Sequence, residues 1–198
     1  SWYRQQEALQ KKIIARMREL GIEPVFPGYA GMVPRNIGEK LGYQIADPGK
    51  WCSFPRPAFL STEDEHFESF AAMYYEELEK LYGKANYYSM DPFHEGGNTE
   101  GVDLAKAGTS IMSAMKKANP EAVWVMQAWQ ANPREAMVST LDSGDLLVLD
   151  LYSEKLPQWG DPESMWYREK GFGKHDWLYC MLLNFGGNVG LHGRMEQL

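Results

Sequence analysis

A glutamate beside two glycines is the residue of this sequence best suited to acid–base chemistry. Glu95 lies in the run DPFHEGG (residues 91–97), directly after a short apolar segment. Glycines allow a substrate to approach the backbone closely, and a carboxyl group at a strand end suits general acid or base catalysis. We therefore predict Glu95 as a catalytic residue and His94 as a neighbour that contacts the substrate. The alternative is that Glu95 is a loop residue that caps the next helix.

A second carboxylate, Asp150, follows the apolar run Leu146–Leu149. Most glycosidases hydrolyse their substrates with a pair of carboxyl groups, so Asp150 is a candidate partner for Glu95. Two other roles stay open. Asp150 orients a neighbouring side chain, or it binds a hydroxyl group of the substrate.

Polar and aromatic residues follow the other predicted strands as well. The further candidates for substrate contacts are Tyr29, Trp129 and Asn184. Flat aromatic faces can stack on sugar rings, although most aromatic side chains fill cores. Trp129 is thus predicted to line the mouth of a site, and simple core packing is the alternative.

Motifs for several other chemistries are missing from the sequence. It has no HxH, HExxH or acid triplet of a catalytic metal site and no GxSxG elbow of a serine hydrolase. Neither GxGxxG nor a Walker motif indicates a nucleotide. Cys52 and Cys180 lie far apart and form no CxxC pair. We therefore predict neither a metal nor an organic cofactor.

Alternating helix and strand patterns must position the candidate residues. Apolar residues at helical spacing and capping signals predict helices over Gln5–Leu20, Ser61 to about Leu81, Val102–Ala118 and Asn132 to about Leu141. Short apolar runs predict strands over Ile22–Pro27, Asn86–Met90, Ala122–Gln127, Leu146–Leu149 and Trp177–Leu183. Residues 42–60, rich in Pro, Gly and aromatic residues, predict a long loop.

About five strands separated mostly by helices predict an α/β fold with parallel pairing. An open doubly wound sheet and a β/α barrel both fit this pattern. A barrel gathers all strand ends at one face, whereas an open sheet uses one or two of them. The candidates at nearly every strand end therefore favour a TIM-like (β/α) barrel. Because a complete barrel takes about 250 residues, we expect residues 1–198 to form one partial catalytic barrel cut from a longer protein.

The composition is that of a globular protein, with 44% hydrophobic and 24% charged residues. A formal net charge of −7 argues against a general nucleic-acid binder, which needs a basic face. No apolar run approaches the roughly 20 residues that span a bilayer. We expect neither nucleic acid nor a membrane span.

Five sequence blocks occur in an order that resembles a known family. They are PVFPGYAGMVP (24–34), DPFHEGG (91–97), AVWVMQAW (122–129), LLVLDL (146–151) and LLNFGGN (182–188). This series resembles the alpha-N-acetylglucosaminidases of glycoside hydrolase family 89, and its second block is similar to that of bacterial members. The resemblance implies a retaining exo-glycosidase that removes terminal alpha-linked N-acetylglucosamine from glycans.

The resemblance also implies roles for particular residues. Glu95 falls on the family's general acid/base and Trp129 on a tryptophan that lines the pocket. The family's second glutamate, the nucleophile, is expected beyond residue 198. A small domain before the barrel, the remaining strands and a helical domain after it are expected in the parent chain, which is expected to be secreted, periplasmic or on the surface of a bacterial cell.

With one of two catalytic carboxyl groups, residues 1–198 alone are expected to be nearly inactive. Robust turnover of an aryl alpha-N-acetylglucosaminide by this stretch by itself would contradict that expectation. The alternative function is a non-catalytic carbohydrate-binding or structural barrel piece that needs the remainder of the parent chain.

Overall fold

The computed structural model describes residues 1–93, 99–151, 153 and 156–180. Helices and strands alternate along most of this length. The helices are α1 (Trp2–Glu19), α2 (Ile37–Leu41), α3 (Phe67–Tyr82), α4 (Leu104–Ala118) and α5 (Glu135–Val138), with a 3-10 turn over Ser143–Asp145. The strands are β1 (Val25–Pro27), β2 (Met32–Val33), β3 (Ile45–Ala46), β4 (Lys50–Trp51), β5 (Phe54–Pro55), β6 (Ala58–Leu60), β7 (Tyr87–Ser89), β8 (Val123–Ala128), β9 (Leu146–Asp150) and β10 (Asp176–Tyr179).

The main sheet of the described residues has five strands in the order β1-β7-β8-β9-β10. Each strand pairs in parallel with its neighbour. Spatial order follows chain order, as in a β/α barrel, whereas a doubly wound sheet reverses its order partway. The sheet thus confirms the predicted α/β fold with parallel strands. The last residues of these five strands form one edge, called the carboxyl edge below: Pro27, Ser89, Ala128, Asp150 and Tyr179.

Side chains alternate between the two faces of this sheet, as the pleat requires. One face packs against helix α3: Phe26 contacts Tyr82, and Tyr88 contacts Tyr75. Parallel pairing places Trp124 beside Tyr88, so the fully buried Trp124 lies on this helix face. Because the helices of a β/α barrel form its outer ring, the opposite face is the inner one.

Residues at both ends of helix α4 stabilise its first and last turns. Asp103 caps its first turn, since its carboxylate accepts the backbone N–H of Lys106 at 3.0 Å. Lys116 and Lys117 lie in the last turn, where positive charge complements the helix dipole. The prediction of this helix is confirmed, with its first residue at Leu104 rather than Val102.

Helix α3 begins later than the sequence suggests. The capping pattern from Ser61 predicts the first turn there, but the helix begins at Phe67. The Asp64 carboxylate accepts the backbone N–H groups of Gln44 at 2.7 Å and of His66 at 2.8 Å. Hydrogen bonds to the Asp64 carboxylate lower its pKa, although burial opposes them. Asp64 therefore ties the segment before α3 to a distant loop instead of opening the helix.

The prediction of one long loop over residues 42–60 is wrong. Strand β6 pairs antiparallel with both β2 and β3, and β4 and β5 form a hairpin. The hairpin turns at Cys52 and Ser53, whose φ values of 45° and 69° are those that a type I′ turn requires. Strands of two or three residues are too short to show a periodic pattern, so the sequence did not reveal them.

The start predicted for the helix after β8 is also wrong. Asn132 and Pro133 are joined by a cis peptide bond, and α5 begins at Glu135 with Arg134 as its N-cap. The side-chain amide of Asn132 donates instead to Asp91 and to the carbonyl oxygen of Gln127. Asn132 is thus a link between loops, not a helix cap.

Helices α4 and α5 meet so closely that one position in α4 has no room for a side chain. A Cβ at Gly108 would overlap the backbone carbonyl oxygen of Met137. We expect Gly108→Ala to destabilise the fold by about 1–3 kcal/mol through overpacking, although alanine favours a helix by about 1 kcal/mol over glycine. The measurement is the midpoint of urea unfolding. The dependence of the unfolding free energy on urea concentration should be the same in the variant and the parent protein.

Gly144 provides the control for this substitution. A Cβ there would meet nothing within 4 Å, so Gly144→Ala is expected to change stability by less than about 0.5 kcal/mol. Equal midpoints for the two alanine variants would contradict the packing argument.

Candidate functional site

The carboxyl edge carries the loops in which the sequence places its candidate residues. Three of these residues, Glu95, His94 and Asn184, lie outside the described residues, so their roles stay predictions. Tyr29, Trp129 and Asp150 are described, and each follows or ends a strand of the main sheet.

The segment that leads from β7 towards Glu95 is anchored to strand β8. The indole N–H of Trp124 donates to the Met90 carbonyl oxygen at 2.9 Å. One residue later, Oδ1 of Asp91 accepts the backbone N–H of Gln127 at 3.2 Å and the amide Nδ2 of Asn132 at 2.9 Å. Asp91 therefore holds the loop after β7 against the loop after β8.

Asp150 lies on the helix face of the sheet and has no exposed surface. Its Oδ2 accepts the backbone N–H of Gln158 at 2.9 Å, and its Oδ1 accepts the side-chain Nε2 of Gln158 at 3.0 Å. Gln158 Nε2 also donates to the Ala128 carbonyl oxygen. Of the three roles left open by the sequence, orientation of a neighbour is the one that this geometry supports. A direct contact with substrate would require Gln158 to move.

Sequence reasoning missed Arg168, which lies in a segment without a helix or strand pattern. Its guanidinium donates to the carbonyl oxygens of Asn132 at 2.6 Å and Pro133 at 3.3 Å, in the loop after β8. It also lies over the ring of Phe172, 5.5 Å from the centroid. Burial lowers the pKa of this guanidinium, and the carboxylate of Asp150 opposes that shift. Arg168 thus connects the segment after β9 to the loop after β8 at the carboxyl edge.

Trp129 is half-buried at the carboxyl edge, directly after β8. Its ring meets that of Trp166 edge-to-face, with 6.3 Å between centroids and 75° between planes. Both residues are partly exposed. The two rings form an aromatic pair at the carboxyl edge, and the sequence did not place Trp166 there. A contact between Trp129 and substrate stays a prediction.

Tyr29 has its ring in the core rather than at the surface. The ring centroid lies 5.7 Å from that of Phe67 and 5.4 Å from that of Tyr74, both on α3. Burial raises the pKa of its hydroxyl above the ordinary value. Its backbone N–H donates to the Tyr75 hydroxyl at 3.1 Å. A contact between the Tyr29 ring and a sugar would require this packing to open, so its predicted role stays a prediction.

A cavity of about 360 Å³ opens beside the segment that leads to Glu95. Its walls come from the loops after β1 and β7 and from the small antiparallel sheet. Its lining includes Gly28, Arg56, Phe59, Met90, Asp91 and Phe93. The size is within the range of ligand-binding pockets, and the apolar walls with a few polar groups are typical of them.

Within the described ranges, no group of three or more His, Cys, Asp or Glu residues could hold a metal ion. Among the same residues, none of the helices combines the length and the apolar character that crossing a membrane requires.

Comparison with known proteins identifies the family. All of residues 1–198 match the family described as the alpha-N-acetylglucosaminidase (NAGLU) tim-barrel domain. The chain belongs to this family. Human alpha-N-acetylglucosaminidase is 33% identical over 212 residues, a match that covers 99% of this chain and 28% of the human protein. The TIM-like barrel fold and the resemblance to family 89 are thereby confirmed.

Solved structures of the same family agree with this assignment. A family 89 glycoside hydrolase from Clostridium perfringens, in complex with PUGNAc, is 40% identical with a TM-score of 0.74, over 79% of this chain and 19% of that one. A second structure of a Clostridium perfringens enzyme of this family holds its substrate GlcNAc-alpha-1,4-galactose, with 39% identity, a TM-score of 0.74, and coverage of 79% and 18%. The chain thus spans less than a third of the length of these relatives.

Proposed function

We propose that this chain forms part of the catalytic barrel of a retaining alpha-N-acetylglucosaminidase. Such an enzyme hydrolyses terminal alpha-linked N-acetylglucosamine from glycans. The observation that supports the proposal is the family match over all of residues 1–198, together with 39% identity to an enzyme solved with GlcNAc-alpha-1,4-galactose.

The proposed mechanism uses Glu95 as general acid and then as general base. In the first step Glu95 donates its proton to the glycosidic oxygen, and a second carboxylate attacks the anomeric carbon from the opposite face. The bond to the leaving group breaks and a glycosyl-enzyme forms. In the second step Glu95 takes a proton from water, which displaces the enzyme carboxylate. Two inversions give net retention, and the carboxyl groups must be about 5–5.5 Å apart.

The second carboxylate is proposed to come from the chain beyond residue 198. Asp150 is a poor candidate for that role, because its carboxylate is buried beneath Gln158 on the helix face of the sheet. A nucleophile must reach the inner side of the barrel mouth, where active sites of this fold lie. The parent protein is therefore proposed to supply the missing half of the catalytic pair.

The test uses the whole gene product that contains residues 1–198. It is incubated with 4-nitrophenyl alpha-N-acetylglucosaminide and with the matching beta-anomer. We expect turnover of the alpha-anomer alone, and NMR of the first-formed sugar should show the alpha-anomer before mutarotation. A beta-configured first product would contradict retention. Binding of the sugar without turnover would instead favour the non-catalytic alternative.

A further inference from the structure

One buried amide joins the two loops that carry the proposed catalytic and substrate-binding residues. Asn132 is 3% exposed. Its Nδ2 donates to Oδ1 of Asp91 at 2.9 Å and to the carbonyl oxygen of Gln127 at 2.7 Å. Asp91 lies in the loop after β7, and Asn132 lies in the loop after β8. The separation of the two loops is therefore fixed by this side chain.

The backbone of Asn132 is hydrogen-bonded to Trp129, in the loop after β8. Its N–H donates to the Trp129 carbonyl oxygen at 2.9 Å, and its own carbonyl oxygen accepts the Trp129 N–H at 3.2 Å. Arg168 donates to that same carbonyl oxygen at 2.6 Å. Asn132 thus contacts Trp129 through its backbone and the segment before Glu95 through its side chain.

Both loops contain a residue whose backbone is strained. Phe93 and Gln130 have φ values of 59° and 50°, in the left-handed region that costs energy for residues other than glycine. An arginine donates to each of these carbonyl oxygens: Arg134 to Phe93 at 3.5 Å and Arg168 to Gln130 at 3.4 Å. Strain of this kind persists only where the surroundings enforce it, and it concentrates at functional sites.

We propose that Asp91 and Asn132 are positioning residues that set the placement of Glu95 relative to Trp129. The proposal rests on the function proposed above. Glu95 follows Phe93 by two residues, so at most about 7 Å of extended chain separates it from the anchored segment. A shift of about 1 Å in a catalytic group costs up to about 100-fold in rate. A loosened link between the loops is therefore expected to reduce the rate of the chemical step.

The chain offers a matched control for this proposal. Asn119 is 2% exposed, and its Nδ2 donates to the carbonyl oxygen of Ala85 at 2.7 Å and to Oδ1 of Asn86 at 3.1 Å. It links the segments that enter β7 and β8, so it joins the same two strands at their amino ends. The two asparagines share residue type and burial, and each donates two bonds from Nδ2. They differ in the end of the sheet that they hold.

The experiment compares Asn132→Ala with Asn119→Ala in the whole gene product. Both variants are expected to lower the urea midpoint. Only Asn132→Ala is expected to lower kcat per folded molecule, by about 10- to 100-fold for a substrate with a poor leaving group, and to shift the basic limb of the kcat/KM pH profile. Equal kcat values for the folded Asn132→Ala variant and the parent protein would overturn the proposal. A loss in Asn119→Ala as large as that in Asn132→Ala would do the same.

Variants of Asp91 test the same link from its other side. Asp91→Asn keeps an acceptor oxygen for the Gln127 N–H and the Asn132 amide and is expected to retain most of the activity, whereas Asp91→Ala should behave like Asn132→Ala. A loss in Asp91→Asn equal to that in Asp91→Ala would overturn the positioning role. If the parent protein hydrolyses no N-acetylglucosaminide, the proposed function and this inference fail together. If the parent is active and the Asn132 variants match it, only the inference fails.

Discussion

Replacement of Glu95 by glutamine is expected to lower kcat/KM for an alpha-linked disaccharide by about 10²- to 10⁴-fold, the usual contribution of general acid–base catalysis. Glutamine has nearly the same shape as glutamate but offers no acidic proton to the glycosidic oxygen. The measurement is steady-state hydrolysis by the whole gene product. The basic limb of the kcat/KM pH profile should disappear in the variant, since that limb reports ionisation of the acid.

Substrates with different leaving groups distinguish a variant that lacks the catalytic acid from a variant that is misfolded. A disaccharide alcohol needs a proton to depart, whereas an activated aryl group departs with little help. The variant should therefore lose much less activity in the first step with a dinitrophenyl glycoside than with the disaccharide. Equal losses for the two substrates would contradict the role of Glu95 as the acid.

Glu100 provides the matched control, because it is an exposed glutamate five positions further along the same loop. Glu100→Gln removes the same charge from the same region and is expected to keep the activity within about twofold of the parent. A loss in Glu100→Gln equal to that in Glu95→Gln would assign the effect to loop charge and not to proton transfer.

The largest expected change in stability follows replacement of Asp150 by alanine, about 3–5 kcal/mol. Two donors of Gln158, the backbone N–H and the side-chain Nε2, lose a buried acceptor, and each orphaned donor costs about 1–3 kcal/mol. The nearby Arg168 guanidinium loses the carboxylate that offsets its burial. The measurement is the urea midpoint.

Asp176 is the control for the effect of a lost carboxylate. It is exposed at the first position of the neighbouring strand β10, so Asp176→Ala should change stability by less than about 0.5 kcal/mol. In a double-mutant cycle, Asp150→Ala combined with Gln158→Ala should cost less than the sum of the single changes, because each single change already removes the bond between Gln158 Nε2 and Asp150 Oδ1. An additive result would show that this side-chain bond contributes nothing to stability.

Replacement of Asp150 by asparagine also tests whether Asp150 is the nucleophile. If Asp150 were the nucleophile, Asp150→Asn would abolish labelling by a mechanism-based fluorosugar. We expect labelling of the folded Asp150→Asn variant to persist, with the label on a carboxylate beyond residue 198. Label on residue 150 of the parent protein would overturn this assignment.

Much of the architecture followed from the sequence because its patterns are local. Strand β8 and helix α4 were predicted within two residues at each end, since the spacing of apolar residues lies within the elements themselves. The parallel pairing also followed, because parallel strands need a long crossover connection, usually a helix, and helical patterns separate most of the strands. Trp129 was placed at a strand end for the same reason.

The predictions that failed depended on partners distant in the chain. Asn132 before a proline looks like a helix cap, but its amide binds Asp91, 41 residues away. Asp64 looks like a first-turn acid, but it binds the backbone of Gln44, 20 residues away. Local propensity cannot report such bonds, because they form only when the strands bring the loops together.

The apolar pattern of strand β9 does not predict which face of the sheet Asp150 lies on. The run Leu146–Leu149 is apolar on both faces of its strand, so the pattern carries no information about which face Asp150 takes. The pairing of Asp150 with Ala128 and the packing of Gln158 decide that it faces the helices.

By itself the sequence determined the fold class and the choice of Glu95 and Trp129 as candidates, because strand and turn signals lie in neighbouring residues. Only the tertiary structure showed that Asp150 is buried and accepts two hydrogen bonds from Gln158, and that Arg168 and Trp166 lie at the carboxyl edge. It also showed that Asn132 links the loops after β7 and β8. Those facts depend on contacts between residues 8 to 41 positions apart, and such contacts are set by packing, not by local pattern.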